Sequence, residues 1–580
     1  MRTFLALFLS CLAVGAQTTN WVGPGGTDSG SSSTYASPFA TIAYGITHTT
    51  GGNWLMIKTG TYVNTTDLNP TANFGATPLN IGGETGSPGD VIITGSGTVD
   101  TVKQQGIGYR WNCVQFQTAN DSVESAFRFY QCTNIGINNC NFLVTNSSGH
   151  APYCVNITGG VGINNCFINN SRGWQTNQYK TDGLHFGSTP NCWSLGFTND
   201  VFIVGGSAIN LLQDATNIYF SGGSYIGTNT STGSIVLTAP TNFFFYGVTA
   251  ISSNSASALS MLDGGGKEPF SNVISGCFIT SSIAAINLRS NNFTVISNSI
   301  IESATGNAIA LSGCTSCVVD GSVIHSLAAN GIYGNYIPGL IVHSNTIRSA
   351  TPGMALNYTF GTTANNVDIS QNDVIATNSY GLQIGQDTQW ELNPVGVDSG
   401  NVYNNTVNCI NAHGLFIGAG CSNMNVFCNV CQGADFSAVC KECQSITWKG
   451  NIFLPAGAAT GLLFKGGKNN TASRNFAYTS GNPAFRMQVG DSGNYTTNIT
   501  VTQNWIRVLA AGGPAYQWNA ALASQDAGGT SYDRNRYSVG GTAPYAVINV
   551  TSLVKPWQLR TNWVSYGSPN NDENSTFLTP

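Results

Sequence analysis

The chain has 580 residues, of which 8% are charged, and its formal net charge is −5. So weak a charge, with no basic stripe, excludes a surface built to bind nucleic acid. The chain contains 69 glycines, and its polar residues are mainly Asn, Ser and Thr, which tolerate turns and bond to neighbouring backbone. Runs of Glu, Lys and Leu that favour helices are nearly absent, so we expect an all-β protein.

Residues 1–16 predict a secretory signal peptide. Arg2 precedes an apolar run, and Val14-Gly15-Ala16 supplies a cleavage site of small residues. No other run is long and apolar enough to span a bilayer. We therefore expect a secreted, extracellular protein without a membrane span.

A secreted protein is expected to carry two kinds of modification, namely N-linked glycans and disulfides. The chain contains 14 Asn-x-Ser/Thr triplets, the acceptor motif for N-glycosylation. They include Asn64, Asn146, Asn156, Asn292, Asn357, Asn494 and Asn498.

The chain also contains 16 cysteines, and in a secreted protein without suitably spaced His ligands, close pairs favour disulfides over zinc. The pairs are Cys314/Cys317, Cys428/Cys431 and Cys440/Cys443, with Cys140 and Cys166 one repeat apart. Removal of Cys11 leaves an odd number (16 − 1 = 15), so one thiol is free or links two copies of the chain.

Residues 17–110 predict an N-terminal cap and the first coils. A short helix is expected at about Ala40–His48, and the first coil strands at Pro78–Ile81 and Val91–Gly95. This start resembles that of right-handed parallel β-helix proteins of the pectate-lyase-like superfamily. A cap is needed because an open terminal coil exposes an unpaired strand edge.

Residues 111–510 repeat a short phrase, in which a small residue is followed by apolar–x–apolar. Its copies lie roughly 22 to 33 residues apart, and they are Ala285–Leu288, Ala308–Leu311, Gly381–Ile384, Gly414–Ile417 and Gly461–Phe464. Such a period predicts a β-solenoid, in which each copy is one coil, and the resemblance of the N-terminal segment implies that this solenoid is a right-handed parallel β-helix. Residues 511–580 lose the repeat and are rich in Trp and Tyr, so we expect a C-terminal segment that covers the last coil. A sugar-binding aromatic surface is the alternative.

Stacking these phrases predicts one outward-facing column of residues. The residue after each phrase, or at the equivalent place, is Arg289, Gly385, Gly418, Lys441, Lys465 or Arg486. With strands about 4.8 Å apart, Lys441, Lys465 and Arg486 are expected to form a cationic ladder. Like charges so placed repel, so the ladder predicts an anionic ligand or nearby carboxylates such as Glu442 and Asp491. We therefore take Lys441, Glu442 and Arg289 as candidate substrate-binding residues.

The sequence around Lys465 resembles that of a known protein family. Gly461–Gly467, followed by Arg474-Asn475-Phe476 and Ala484-Phe485-Arg486, is similar to the alginate lyase/chondroitinase B family. The resemblance implies that Lys465 is the base and Arg486 the acid in β-elimination from a uronate-containing polysaccharide. The partner would then be an acidic glycan. The close resemblance covers about 30 residues.

One departure from this family concerns calcium. The two glutamates that hold the ion there, five and seven residues before the lysine, correspond to Thr460 and Ala458. We therefore predict no cofactor; calcium is the alternative, although the acids expected to bind it are absent. The alternative function is a non-catalytic structural or adhesive glycoprotein, able to self-associate through its odd thiol.

Other polar residues receive weaker assignments. Lys180–Phe186 resembles the Asn-Thr-Asp-Gly segment of polygalacturonase-type glycosidases, but only Asp214 follows one coil on. His413 resembles the histidine that follows later in the sequence of those enzymes. However, nine or more coils of about 4.8 Å each separate it from Lys180–Phe186, a distance of over 40 Å, which is too far for one site. Asp182 is therefore expected to be a turn residue that bonds backbone. An insertion containing Asp387, Glu391 and Asp398 is expected to rim a binding groove. Four isolated histidines are expected to be structural: His48, His150, His325 and His343.

Overall fold

Short parallel strands account for most of the chain in the computed structural model. The structure describes residues 17–64, 68–95, 100–118, 125–144, 153–157, 160–175, 182–187, 190–211, 215–228, 233–253, 256–264, 266–357, 364–387, 396–457, 459–480, 482–490, 496–509, 514–520, 531–539, 546–550, 553–557 and 576–578. The predicted signal peptide, Asn146, His150, Asp214, Glu391, Ala458, Asp491 and Asn494 lie outside these residues. Contacts divide the chain into two units, 1–273 and 274–580, which we describe separately.

Unit 1 contains the predicted short helix and a run of strands. The helix is α1 (Ile42–His48), and a 3-10 turn covers Pro88–Asp90. In chain order the strands are β1 (Thr19–Val22), β2 (Trp54–Ile57), β3 (Gly60–Asn64), β4 (Leu79–Gly83), β5 (Val91–Gly95), β6 (Lys103–Asn112), β7 (Gln115–Thr118), β8 (Ser125–Asn138), β9 (Asn141–Val144), β10 (Tyr153–Ile157), β11 (Gly160–Asn169), β12 (Arg172–Gln175), β13 (Leu184–Phe186), β14 (Pro190–Thr198), β15 (Val201–Val204), β16 (Ile209–Leu211), β17 (Ala215–Ser221), β18 (Ser224–Gly227), β19 (Ile235–Thr238), β20 (Thr241–Tyr246), β21 (Thr249–Ser252) and β22 (Leu259–Leu262).

The remaining strands continue the pattern in unit 2, beginning with one that starts at Val273. They are β23 (Val273–Ser275), β24 (Phe278–Ser281), β25 (Ile286–Arg289), β26 (Val295–Ser297), β27 (Ile300–Ser303), β28 (Ile309–Ser312), β29 (Val318–Asp320), β30 (Val323–Ser326), β31 (Ile332–Asn335), β32 (Ile341–His343), β33 (Thr346–Ser349), β34 (Met354–Asn357), β35 (Ala364–Ser370), β36 (Asp373–Ala376), β37 (Tyr380–Ile384), β38 (Val397–Tyr403), β39 (Thr406–Cys409), β40 (His413–Ile417), β41 (Ser422–Phe427), β42 (Val430–Gly433), β43 (Phe436–Lys441), β44 (Thr447–Lys449), β45 (Ile452–Phe453), β46 (Thr460–Lys465), β47 (Thr471–Ser473), β48 (Phe476–Thr479), β49 (Phe485–Gln488), β50 (Thr500–Thr502), β51 (Trp505–Val508), β52 (Tyr516–Ala520), β53 (Ser531–Asp533), β54 (Arg536–Val539), β55 (Ala546–Val550), β56 (Leu553–Trp557) and β57 (Thr576–Leu578).

From β10 onward a full coil contributes three successive strands, one to each of three parallel sheets, whereas the earlier coils of unit 1 contribute two, such as β4 and β5. In unit 1 the first sheet contains β10, β13, β16, β19 and β22, which follow the N-terminal halves of β6 and β8. In unit 2 it contains β25, β28 and every third strand through β55. The predicted phrases stack in register there, with Ile286 opposite Ile309 and Leu288 opposite Leu311. The right-handed parallel β-helix predicted from the repeat is confirmed.

Helix α1 packs on the first strands and begins at a side-chain cap. Thr41 accepts a hydrogen bond from the backbone N of Tyr44 at 3.2 Å, which satisfies one of the free N–H groups of the first turn. Gly45 permits close contact with the sheet, since a Cβ there would lie 2.7 Å from Leu55 and 2.8 Å from Val22. The N-terminal helix is therefore confirmed, and so are the strands predicted near residues 78–81 and 91–95.

An asparagine ladder fixes the turn between the second and third strands of the coils in unit 2 from Asn345 onward. Each asparagine donates its backbone N–H and its side-chain N–H to the side-chain oxygen of the next, at 2.9 to 3.0 Å. Its members are Asn345, Asn372, Asn405, Asn429, Asn451, Asn475, Asn504 and Asn535, all buried. The residue before each of them has a left-handed backbone, with φ between 54° and 66°. The ladder thus pairs buried polar groups that would otherwise be costly.

Parallel pairing continues beyond the predicted end of the coils. Strand β52 pairs with β49, and β55 pairs with β52 in turn. The boundary at residue 510 is therefore too early, and the segment predicted as a C-terminal cover contains further coil strands. Strand β56, in contrast, pairs antiparallel with β55. Within the described residues, no helix is long and apolar enough to cross a membrane.

The predicted cysteine pairs have different outcomes. Cys440 and Cys443 form a disulfide. Cys314 and Cys317 are buried thiols whose side chains hydrogen-bond to each other. In the remaining close pair, Cys428 is exposed and Cys431 is buried, and neither forms a disulfide.

Candidate functional site

The first step of the predicted cationic ladder is present in unit 2. Strand β43 pairs with β46 so that Lys441 lies opposite Lys465. Leu462 and Phe464 of β46 are fully buried in the core. Because side chains alternate along a strand, Lys465 points to the outer face, and neighbouring strands place the two lysines about 4.8 Å apart at the backbone.

The second step is wrong, because Arg486 does not lie opposite Lys465. In the register of β46 and β49, Arg486 lies opposite Leu463, and Gln488 lies opposite Lys465. The spacing explains this: Lys441 to Lys465 spans 465 − 441 = 24 residues, whereas Lys465 to Arg486 spans 486 − 465 = 21. Arg486 is nevertheless on the same outer face, displaced by two residues, or about 6.6 Å along the strand. Burial lowers the pKa of its guanidinium.

Lys441 is held by an acid from the predicted insertion. Its Nζ lies 2.6 Å from the Oδ1 of Asp387 and donates to the carbonyl of Asp387 at 2.9 Å. The hydroxyl of Tyr380 donates to the other carboxylate oxygen of Asp387. The lysine side chain is only 8% exposed. Lys441 therefore balances Asp387 within the protein, which leaves Lys465 as the more accessible cation of the pair.

Glu442 does not present its carboxylate to solvent, contrary to its predicted role in substrate binding. The residue is 1% exposed and has a φ of 50°. Its side chain packs against two glycines, such that a Cβ at Gly490 would lie 2.6 Å from Oε1 and a Cβ at Gly466 3.1 Å from Cγ. Its backbone N donates to the carbonyl of Lys465 at 2.7 Å. Glu442 therefore stabilises the turn after Lys441.

Arg289 is too distant to bind a group held by Lys441 or Lys465. It ends β25, and the first sheet passes from there through β28, β31, β34, β37 and β40 to β43. Six steps of about 4.8 Å amount to about 29 Å. The prediction that Arg289 shares this site is wrong, because sequence columns do not measure how many coils lie between their members.

His413, which the sequence linked only to the later histidine of polygalacturonase-type enzymes, is a functional candidate that was not predicted at this site. It lies on β40 opposite Tyr380 and Phe436, with ring centroids 5.3 and 5.1 Å from theirs. Burial lowers the pKa of His413 most, and the charges of Lys441 and Lys465 lower it further, against the opposing effect of Asp435 and Asp387. The Nδ1 atom is buried 3.8 Å from Asp435 and has no hydrogen-bond partner among the described residues. A neutral imidazole at pH 7 follows.

The floor between these groups is apolar. Phe416, Val439 and Leu463 point outward from three neighbouring strands, yet are only 2 to 4% exposed, and Tyr380 and Phe436 pack against them. We call these three residues the apolar strip. Cations stand at its edge, in Lys441, Lys465 and Arg486, and the neutral His413 stands across it. Such an arrangement can hold a carboxylate and transfer a proton in a partly dry environment, where charges interact more strongly.

The polygalacturonase-like segment contains an organised polar cluster. Asp182 accepts the backbone N–H of Ser207 at 3.0 Å, which confirms the predicted bond to backbone. It also pairs with His185 at 3.1 Å and with Asn210 at 2.8 Å. His413 lies in unit 2 and Asp182 in unit 1, and we treat the two clusters separately.

Comparisons with known proteins agree with the strand pattern. Residues 228–392 match a family model described as "Right handed beta helix region". No curated protein sequence matches the chain.

Three similar solved structures align with this chain at low identity. The PL6 family alginate lyase AlyGC aligns over 92% of this chain and 98% of its own, at 10% identity and a TM-score of 0.31. A mannuronic acid specific polysaccharide family 6 lyase from human gut microbiota aligns over 92% and 86%, at 10% identity and a TM-score of 0.26. Tailspike protein 3 of bacteriophage CBA120 aligns over 66% and 55%, at 10% identity and a TM-score of 0.28. Likeness at this level says nothing about the activity of this chain, which the strand pairing and the family match identify as a right-handed parallel β-helix protein.

Proposed function

We propose that this protein is a secreted polysaccharide lyase, which binds an acidic glycan on the first sheet of unit 2 and cleaves it by β-elimination. The observation that carries the proposal is the placement of Lys465 and Arg486 on adjacent strands and on one face, beside the apolar strip. The resemblance of this segment to the alginate lyase/chondroitinase B family supports the same two residues.

The proposed reaction begins at the carbon beside a uronate carboxylate. Lys465 removes the proton there with the lone pair of a neutral amine and becomes an ammonium ion, and the electron pair of the broken C–H bond forms a C=C bond as the glycosidic C–O bond breaks. Arg486 gives a proton to the departing oxygen. Burial favours this role, because the lowered pKa of Arg486 makes its guanidinium a better donor than in water. Positive charge next to the carboxylate stabilises the enolate that develops before elimination.

His413 is a second basic group at the same site. Its pKa is lowered, so it can accept a proton at neutral pH, which is the property required of a general base. We assign Lys465 as the base and His413 as the neutral partner that contacts the sugar across the apolar strip. The variants below separate these roles.

Calcium does not fit the position where the related family holds it. Thr460 is 1% exposed and carries no carboxylate, and Ala458 lies outside the described residues. Among the residues that the structure describes, no three His, Cys, Asp or Glu side chains are grouped to hold a metal ion. The proposed reaction therefore has no step that involves calcium.

A non-catalytic extracellular glycoprotein is the second candidate function. Two observations favour it: Asp387 already neutralises Lys441, and the residues of the apolar strip are buried. In that case the outer face would serve internal packing, and the solenoid would act as a rigid rod.

The experiment that separates the two candidates is a lyase assay on alginate, chondroitin and pectate, read as the ultraviolet absorbance of the unsaturated uronate. We expect cleavage of one polymer, and a loss of about 100-fold or more in Lys465→Ala. Lys468→Ala is the matched control, because Lys468 is exposed three residues away. His413→Asn should raise KM more than it lowers kcat. No activity on any polyuronate, or full activity of Lys465→Ala, would exclude the lyase.

Export and glycosylation belong to the same proposal. Asn498 and Asn469 are exposed sequons on neighbouring coils, joined by a hydrogen bond of 3.0 Å. Asn156 is only 4% exposed, so a glycan cannot be attached to it in the folded protein. Mass spectrometry of the protein from its native source should find glycans at Asn498 or Asn469 and none at Asn156. An unglycosylated chain that retains residues 1–16 would contradict export.

A further inference from the structure

The first sheet of unit 1 carries a column of polar side chains on its outer face. Strand pairing places Arg128 opposite Asn156, Asn156 opposite His185, and His185 opposite Asn210. Polar residues at successive positions of one column are unusual for a face that is nearly dry: Asn156 is 4% exposed and His185 is 6% exposed. Buried polar groups of this kind need partners, so their hydrogen bonds identify what the column can bind.

His185 is held in one orientation and one tautomer. The Oδ2 of Asp182 lies 3.1 Å from Nδ1 of His185 and accepts from Nδ2 of Asn210 at 2.8 Å, while its Oδ1 accepts from the backbone of Ser207. A carboxylate accepts hydrogen bonds, so Nδ1 carries a proton, and in the neutral tautomer of that geometry Nε2 carries the lone pair. Tyr153 stacks on the imidazole, with ring centroids 3.9 Å apart and planes 14° apart.

Asn156 presents a second acceptor beside His185. Its Oδ1 is buried and receives no hydrogen bond from the described residues. The two residues lie on neighbouring strands in register, so their acceptors start from backbones about 4.8 Å apart. Arg128 follows on the other side of Asn156, where Asp100 balances its charge at 3.2 Å. The column therefore offers two adjacent acceptors.

We propose that Asn156 and His185 form a carbohydrate-binding site in unit 1, which takes a pyranose through two adjacent hydroxyl groups. One hydroxyl donates to Oδ1 of Asn156 and its neighbour donates to Nε2 of His185. Vicinal hydroxyls suit this pair because both protein atoms are acceptors, and Tyr153 adds an apolar surface beside them. Asp182 is the positioning residue. The site rests on the proposed function in one respect, namely that the ligand is a polysaccharide.

The test is a nitrogen-15 NMR titration of the histidine rings in the full-length protein, which has six histidines. The variant His185→Gln assigns the His185 signals by their loss. We expect the free protein to show Nδ1 protonated and Nε2 unprotonated. Oligosaccharides of alginate, pectate and cellulose are the probes, and one of them should shift Nε2 of His185 in a saturable manner. The matched control is His343, which pairs with Asp320 at 2.9 Å but is 40% exposed and should not move.

The outcomes separate this inference from the proposed function. Cleavage of a polyuronate with no saccharide shifting His185 would overturn the site and leave the lyase intact. A saturable shift without any cleavage would support the site and remove the lyase. A proton found on Nε2 in the free protein would overturn the site directly. Asn156→Ser should weaken the saturable shift at least tenfold while the His185 tautomer is kept, which shows that the variant has folded.

Discussion

Arg486 lies opposite Leu463, two residues before the position opposite Lys465. The proposed acid and base therefore face the substrate diagonally across neighbouring strands. A diagonal arrangement suits a polysaccharide chain that crosses the sheet obliquely. Lys465 removes a proton from the sugar at one point, and Arg486 delivers a different proton to a glycosidic oxygen displaced from that point. The position two residues further on is held by Gln488.

This offset can be tested by moving the cation. Arg486→Gln should reduce lyase activity by about 100-fold or more. Adding Gln488→Arg restores the net charge but shifts the guanidinium by about 6.6 Å along β49, so the double variant should remain as inactive as the single one. Cleavage rates on the preferred polymer give the comparison. Recovery of activity in the double variant would show that the acid belongs opposite Lys465.

His413 predicts a pH effect on stability. Its pKa is lowered in the folded protein by burial and by two lysines, while the unfolded chain has the ordinary value of about 6.5. Below that pH the unfolded state takes up the proton first, so stability present above about 6.5 is lost as pH falls through the folded pKa. Urea midpoints should decrease in this range for the wild type and less for His413→Asn. His343→Asn, at an exposed histidine, should keep the wild-type slope.

Asp200 predicts the opposite slope. It is fully buried, its Oδ1 accepts from the backbone of Ser171 at 2.8 Å, and its Oδ2 has no partner among the described residues. Burial raises its pKa from 3.8 to about 7. The folded state holds the proton longer, so stability that is full below pH 3.8 is lost as pH rises through about 7.

The variant Asp200→Asn keeps the acceptor for Ser171 and removes the charge. It should raise thermal stability above pH 7, by no more than about 4 kcal/mol, and leave stability in acid unchanged. Melting curves across this pH range provide the measurement. Asp320→Asn, at an acid that is 44% exposed, is the control and should change little. A variant that melts earlier than the wild type in alkali would contradict the assignment.

The asparagine ladder predicts a large loss from a single substitution. Asn429 is fully buried and accepts from both the backbone and the side chain of Asn405. Asn429→Ala leaves those two donors without an acceptor, which should cost about 2 to 4 kcal/mol. Asn425→Ala removes an exposed hydrogen bond of 3.2 Å to Asn401 and should cost less than about 1 kcal/mol. Equal denaturation midpoints for the two variants would refute the role of the ladder.

The fold could be predicted from the sequence because each coil repeats the same pattern of small and apolar residues. Leu288 and Leu311 fill equivalent core positions, and the apolar–x–apolar phrase marks them directly. The turns were harder to predict from the sequence. Ladder asparagines follow left-handed residues of several types, among them Arg474 and Cys428, and side chains of that kind give no turn signal of their own.

The site was only partly predictable, because coil length varies. A spacing of 24 residues keeps Lys441 and Lys465 in register, whereas 21 residues displace Arg486. The ion pair of Lys441 with Asp387 joins residues 54 positions apart, and it depends on where an insertion returns to the sheet. Burial lowers the pKa of His413 most and these same lysines lower it further, so its place in this site depends on tertiary contacts that the local sequence does not show.

The asparagine ladder has a direction, since each member donates to its successor and accepts from its predecessor. A complete coil that brings its own asparagine can therefore be duplicated or deleted with donor and acceptor numbers kept in balance. Length can change in whole coils without redesign of the interior. Homologues and engineered forms of this protein should accordingly differ in length by complete coils. An insertion or deletion of part of a coil would interrupt the hydrogen bonds between successive ladder asparagines.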